Sequence, residues 1–172
     1  MATVFLSGWF IFTIAIMYMK KYELTLSANM VATASMAMYF FIKAEDVAGA
    51  MLLIAFFSSF IQLIISYISE KKSHLMLRNL IAATIAIIVC IYKYQGATDI
   101  LPCLAFIIVR MGEAQNSAMF MKLGIIGAMV TFLIFGLFTE LYYMSALQAV
   151  IVIVFAEKTL RDRKKANLIK AA

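Results

Sequence analysis

Proline is almost missing from this chain: Pro102 is its single copy, and only seven glycines accompany it in 172 residues. Flexible linkers and loops lean on those two residues. Their scarcity excludes long structureless connections and leaves no sign of a soluble second domain. Charge is scarce as well, at 14% of the chain, whereas hydrophobic residues reach 65%. Soluble domains carry roughly 25% and about 45–50% respectively. A short chain folded in water cannot hide that much apolar surface, so lipid must solvate much of it. Two cysteines, Cys90 and Cys103, match no metal-ligand spacing. They fall near the same membrane edge on consecutive helices, where a bridge is geometrically conceivable and two buried thiols are the simpler expectation. No nucleophile motif, Gly-rich phosphate loop or HExxH occurs, so neither enzymatic activity nor a cofactor or metal is expected. No acidic pair sits mid-membrane. That argues against a proton-relay antiporter and against intramembrane proteolysis, and leaves room for uncoupled movement of a neutral or weakly charged solute.

What the chain does have is a series of apolar blocks. A bilayer core about 30 Å thick needs about 20 apolar residues in a helix. Seven such blocks occur, at 2–19, 24–42, 47–69, 76–93, 97–114, 117–138 and 141–157. The expected fold is therefore all-α: a polytopic membrane protein with seven transmembrane helices in one domain, residues 1–157. A basic cytoplasmic tail, 158–172, follows and is expected to be mobile. Short polar clusters such as Lys20-Lys21-Tyr22-Glu23 and Lys43-Ala44-Glu45-Asp46 join the blocks. A cleaved signal peptide is not expected, because Lys20 and Lys21 follow the first apolar run instead of preceding it.

The formal charge is +6, but the basic residues sit at the ends of apolar runs and not in a patch. A membrane predicts that placement and a nucleic-acid partner does not. With the C-terminus in the cytoplasm and the N-terminus outside, 13 of the 15 Lys and Arg fall on the inner side, leaving only Lys43 and Lys93 outside. The fifth block is the exception to easy reading, since only ten residues, Pro102 among them, separate Asp99 from Arg110. It spans only if Arg110 and Glu113 enter the inner interface. Snorkelling of Arg110 to the headgroups is the favoured account. The sharper one is a gate or ion pair, because Arg110 and Glu113 stand three apart on one helix face.

Small residues mark packing faces: Ala28, Ala32 and Ser35 on the second helix, Ala82, Ala83 and Ala86 on the fourth, and Gly124, Gly127 and Ala128 on the sixth. Seven helices in this orientation allow a 3+1+3 arrangement, two parallel triplets joined by an inverting fourth helix. A weak self-match at an offset of 95 pairs Phe40 with Phe135, Glu45 with Glu140 and Ala50 with Ser145. A polar stripe of Ser58, Gln62 and Ser66, with Ala55 in line and Ser59 alongside, marks one face of the third helix. Tyr142, Ser145 and Gln148 mark one face of the seventh. A cavity between the triplets is expected to take both stripes, with Asn29 and Thr33 of the second helix and with Trp9 and Thr13. Ordinary interhelical hydrogen bonds, worth about 0.6 kcal/mol each, are the better account of any one of these residues, and the cavity is a comparable account only of the two stripes together. Asp99 is expected to cap the fifth helix, and His74 has no role assigned.

At Tyr39-Phe40-Phe41, Val47-Ala48-Gly49-Ala50, Ile100-Leu101-Pro102 and Met121-Lys122 the sequence resembles the YgjV-type bacterial inner membrane proteins, over residues 5–163. The resemblance implies a multi-pass protein of the bacterial inner membrane. The family is similar in plan to the seven-helix sugar and vitamin transporters of the SWEET and PnuC type. This chain departs from the family's polar positions: its Asn and Arg on the third helix fall at Ala55 and Ser58, its His-Asn on the sixth at Phe135-Gly136, and its Glu on the seventh at Gln148. The expected function is a facilitator for a small neutral or weakly charged solute. The alternative is a non-transporting membrane binding protein, such as an immunity, exclusion or assembly factor. Expected partners are the lipid bilayer and a small-molecule solute; an oligomeric state is not legible.

Overall fold

The computed structural model describes the backbone of residues 1–68, 72–115 and 117–171, and their side chains except for 66–77, 159–160 and 162–171. Seven α-helices account for nearly all of it: α1 Ala2–Tyr18, α2 Tyr22–Ile42, α3 Asp46–Ile68, α4 Lys72–Lys93, α5 Ile100–Ala114, α6 Ala118–Phe138 and α7 Tyr142–Ala171. The seven apolar blocks of the sequence lie on these seven helices. One block is shared between two elements, because residues Ala97–Asp99 form a separate 3-10 turn before α5. Pro102 then falls in the first turn of α5, where the missing N–H has no intrahelical acceptor to lose. The basic tail is part of α7, which continues without a break from Tyr142 to Ala171.

By length and composition, Tyr22–Ile42, Asp46–Ile65 and Ala118–Phe138 are each able to cross a membrane, and α1 is apolar but shorter. Their outward faces fit that solvent. Large apolar side chains such as Phe57, Ile64, Leu137 and Phe138 are exposed, far more than a water-soluble surface tolerates.

Two loops fix how consecutive helices turn back. Ala44 and Glu140 hold the left-handed conformation, at φ 61° and φ 60°. After each of them an N–H reaches back five residues, from Glu45 to Phe40 O at 3.0 Å and from Leu141 to Gly136 O at 2.8 Å. This is the helix-terminating turn that satisfies carbonyls left open at a C-terminus. The two turns are copies of each other, 96 residues apart. The same spacing relates both ends of α2 to those of α6, the last residue of α1 to that of α5, and the first of α3 to that of α7. The helix ends and turns repeat at 96 residues, not at the offset of 95 of the sequence match. Tyr39 corresponds to Phe135, Ala44 to Glu140, Glu45 to Leu141 and Gly49 to Ser145. Hydrogen bonding in the turns sets this register, which matching among apolar residues cannot.

Packing follows the repeat. Within the first triplet α2 lies against α1 and α3; within the second α6 lies against α5 and α7; α4 bridges α3 and α5. The triplets meet through α1 with α7, α3 with α5, and α2 with α6. Exchanging each helix for its copy turns the first pair into the second and leaves the third unchanged, as a two-fold relation between the triplets requires. Closest approach comes at α5 and α6. A Cβ added to Gly112 would stand 2.7 Å from the carbonyl oxygen of Phe120, and one on Gly124 would stand 3.1 Å from that of Ile108. Gly124 and Ala128 are buried as their packing role demands.

Candidate functional site

Between the triplets lies a cavity of about 60 Å3, room for roughly four waters. Trp9 and Thr13 of α1, Asn29 and Thr33 of α2, Ala55 of α3 and Gln148 of α7 line it, together with apolar side chains of α5 and α6. Many lining positions come as copies 96 residues apart: Trp9 with Ala105, Thr13 with Val109, Asn29 with Ile125, Thr33 with Met129, Leu52 with Gln148. The polar member of the first four belongs to the first triplet and that of the last to the second. The cavity therefore sits on the relation between the triplets and is polar on one side. Gln148 is 1% exposed, and its Oε1 has no hydrogen-bond partner among the described residues. A buried amide oxygen without a donor is costly.

At one end of the cavity Phe40, Phe132 and Phe135 close together, with ring centroids 5.6 Å apart for Phe40–Phe132 and 5.8 Å for Phe40–Phe135. At the other end, near the C-terminus of α5, is a buried ionic network. Arg110 Nη2 donates to Glu113 Oε1 at 2.8 Å and to Ser59 Oγ at 2.9 Å, and Arg110 Nη1 stands 2.7 Å from Glu113 Oε2. Ser59 Oγ donates to Glu113 Oε1 at 3.0 Å and Asn29 Nδ2 to the same oxygen at 3.3 Å. Glu113 is fully buried and Arg110 is 4% exposed. The peptide carbonyl of Glu113 accepts from Tyr22 Oη at 3.2 Å and from Gln62 Nε2 at 3.1 Å. Arg78 of α4 joins by donating to Gln62 Oε1 and to Ser58 O, and its Nη1 lies 3.9 Å from Glu113 Oε2. Two guanidiniums thus face one carboxylate. Asn29 belongs to both the network and the cavity wall, so the two are continuous.

The copy of Glu113 in the first triplet is Met17, and its carbonyl is treated alike. Lys122 Nζ donates to it at 3.1 Å, Lys158 Nζ also donates to it, and Lys158 lies 3.8 Å from the centre of the Tyr18 ring. Lys158 is the copy of Gln62. Each triplet's third helix therefore reaches across to the end of the other triplet's first helix. Sequence reading missed Tyr22, Arg78, Lys122 and Lys158 as members of this end. The available signal was polar side chains one to two turns inside helix ends for Arg78 and Lys122, whereas Tyr22 opens α2 and Lys158 lies mid-way along α7.

Several expectations need correcting. Arg110 does not snorkel to the surface; it is buried against Glu113 and over the ring of Phe106 at 5.5 Å. The stripe on α3 does not line one cavity. Ala55 faces the cavity, Gln62 and Ser59 enter the ionic network, and Ser58 turns toward a groove between α3 and α4. Ser66 lies outside the residues with described side chains, as does His74. On α7, Tyr142 is 61% exposed at the first residue of the helix. Ser145 is buried but serves packing, donating to Leu133 O at 3.2 Å where Gly136 lets α6 approach. Asp99 is the N-cap residue of α5, but its carboxylate makes no capping hydrogen bond there; its Oδ2 accepts from the N–H groups of Gln95 and Gly96 at 2.8 and 3.2 Å and so braces the preceding loop. Cys90 and Cys103 are both free thiols.

No group of three or more His, Cys, Asp or Glu side chains able to hold a metal occurs among the described residues. No family model, curated protein or solved structure matches the chain.

Proposed function

We propose that this is a seven-span facilitator of the bacterial inner membrane, with its N-terminus outside and its C-terminus in the cytoplasm. A small neutral solute passes through the cavity between the triplets. The observation that carries the reading is a mostly apolar cavity with a few polar side chains, placed between the halves of a repeat that touch along three helix pairs. Parallel repeats with a site at their interface are the plan on which alternating access works. The aromatic cluster flanks the cavity on one side and the ionic network on the other. Its two polar faces, the amide of Gln148 and the Thr13, Asn29 and Thr33 group, suit a solute that both donates and accepts hydrogen bonds. The volume suits about four heavy atoms, taking each to need about the space of one water.

The short fifth span supports the seven-span count once its charges are placed. Arg110 and Glu113 neutralise each other inside the protein, so they do not bar α5 from the bilayer as lone charges would. The Arg110–Glu113 pair then acts as the inner gate. The chain carries no cofactor and no catalytic group in this reading, and its partners are lipid and solute.

The test is flux into proteoliposomes of urea, short amides and glycerol. Uptake above empty vesicles, lowered several-fold by Gln148→Leu or Thr33→Val, is the expected result. No flux of any of them, with the purified protein holding another membrane protein instead, would favour the non-transporting binding role.

A further inference from the structure

Outside the central cavity, α3 and α4 leave a second and larger space, a groove of about 470 Å3 lined by Ile54, Phe57, Ser58, Ile61, Ile81 and Ile85, with Arg78 also in its wall. Along α3 it extends from Ile54 to Ile65, or about 16 Å. Phe57, Ile61, Ile81 and Ile85 are each roughly half exposed, so the groove is open to whatever surrounds the helices. In a bilayer that is acyl chain.

The groove differs from ordinary lipid-facing surface at one end. Arg78 is 6% exposed and Ser58 5%, and among the described residues Arg78 Nε and Ser58 Oγ have no hydrogen-bond partner. Among the described residues Arg78 is also the less closely paired charge of the buried network, because Arg110 takes both oxygens of Glu113 at 2.7 and 2.8 Å while Arg78 stands 3.9 Å off. A guanidinium held in low dielectric without a full counter-charge is costly, and an anion arriving from the groove would offset that cost. Arg78 lies six residues, or about 9 Å, along α4 from Lys72. It therefore sits close to the end of the membrane segment where phosphate groups lie.

We propose that this groove binds one anionic phospholipid, an acyl chain between α3 and α4 and the phosphate at Arg78 and Ser58. The site is separate from the solute cavity and does not depend on transport. The lipid supplies the negative charge that the Arg78, Arg110 and Glu113 cluster lacks, and so bears on the stability of that cluster.

The test uses the full chain purified in mild detergent, with native mass spectrometry and thermal unfolding in the presence of phosphatidylglycerol, phosphatidylcholine or inorganic phosphate. The expected result is retention of one phosphatidylglycerol and a raised unfolding temperature with that lipid alone. Arg78→Gln should weaken retention about tenfold, the loss of one charge-assisted contact. Ile85→Trp, which fills the groove from an exposed position and spares the ionic network, should weaken it as much; it decides the matter if Arg78→Gln does not fold. Equal retention of phosphatidylcholine, unchanged retention in folded Ile85→Trp, or an equal temperature rise with inorganic phosphate would each overturn the proposal.

Discussion

Among the described residues Glu113 is the single acid facing two buried guanidiniums, and that asymmetry makes a quantitative difference between its loss and theirs. Glu113→Gln leaves Arg78 and Arg110 facing each other without a counter-charge and is expected to cost about 3–5 kcal/mol, the usual size for a buried charge stripped of its partner. Arg110→Met leaves Glu113 with Arg78, Ser59 and Asn29 still around it, and the expected loss is smaller, about 1–3 kcal/mol. Thermal unfolding of the two variants in detergent checks this, and equal losses would contradict the cluster's surplus of positive charge. On the opposite side of the bundle Glu45 carries a second charge effect. Burial, and then the neighbouring Asp99 carboxylate, raise its pKa above the ordinary value. A carboxyl with a raised folded pKa contributes stability below its unfolded pKa and loses it as pH rises through the folded one. Glu45→Gln should therefore remove that fall in stability just above the ordinary carboxylate range, as read by unfolding temperature against pH. The sequence spacing of Arg110 and Glu113 pointed to their pairing. It did not reveal that both are buried, because burial depends on Ser59, Gln62 and Arg78 arriving from other helices.

At the scale of elements, the seven helices were legible because apolar runs of membrane length interrupted by charge leave few alternatives. Which copy of a helix corresponds to which residue was less so. Leu, Ile, Phe and Met exchange freely on a lipid-facing surface, and a one-residue error in register costs such a match nothing. The turns after α2 and α6 hold the register, through one residue each at positive φ. Neither Ala44 nor Glu140 is glycine, and an L-residue there pays roughly 1 kcal/mol. Ala44→Gly and Glu140→Gly should each raise stability by a few tenths to about 1 kcal/mol, the gain being reduced by glycine's greater freedom when unfolded. Chemical unfolding would show it, and destabilisation by both would contradict the turn geometry. The α7 stripe misled for a related reason. Periodicity identifies a shared face but not what the face meets, and Tyr142, Ser145 and Gln148 end respectively outside, in a helix contact and in the cavity.

For the molecule as a whole, the cavity lies where the helix pairs α1 with α7, α3 with α5 and α2 with α6 meet, with the aromatic cluster and the ionic network on either side. Composition indicated a bilayer and the basic residues indicated a direction across it. The cavity itself was only implied, since its wall is drawn from six helices and most of it is apolar. Parallel triplets joined by one inverting helix require an odd number of crossings, and that requirement is the claim on which the solute pathway rests. Single cysteines placed at Ala2 and at Ala171, in a background with Cys90 and Cys103 replaced by serine, can be labelled with a membrane-impermeant maleimide in intact cells and in inverted vesicles. The account predicts labelling at Ala2 only in intact cells and at Ala171 only in inverted vesicles. Labelling of both positions from the same side would contradict it.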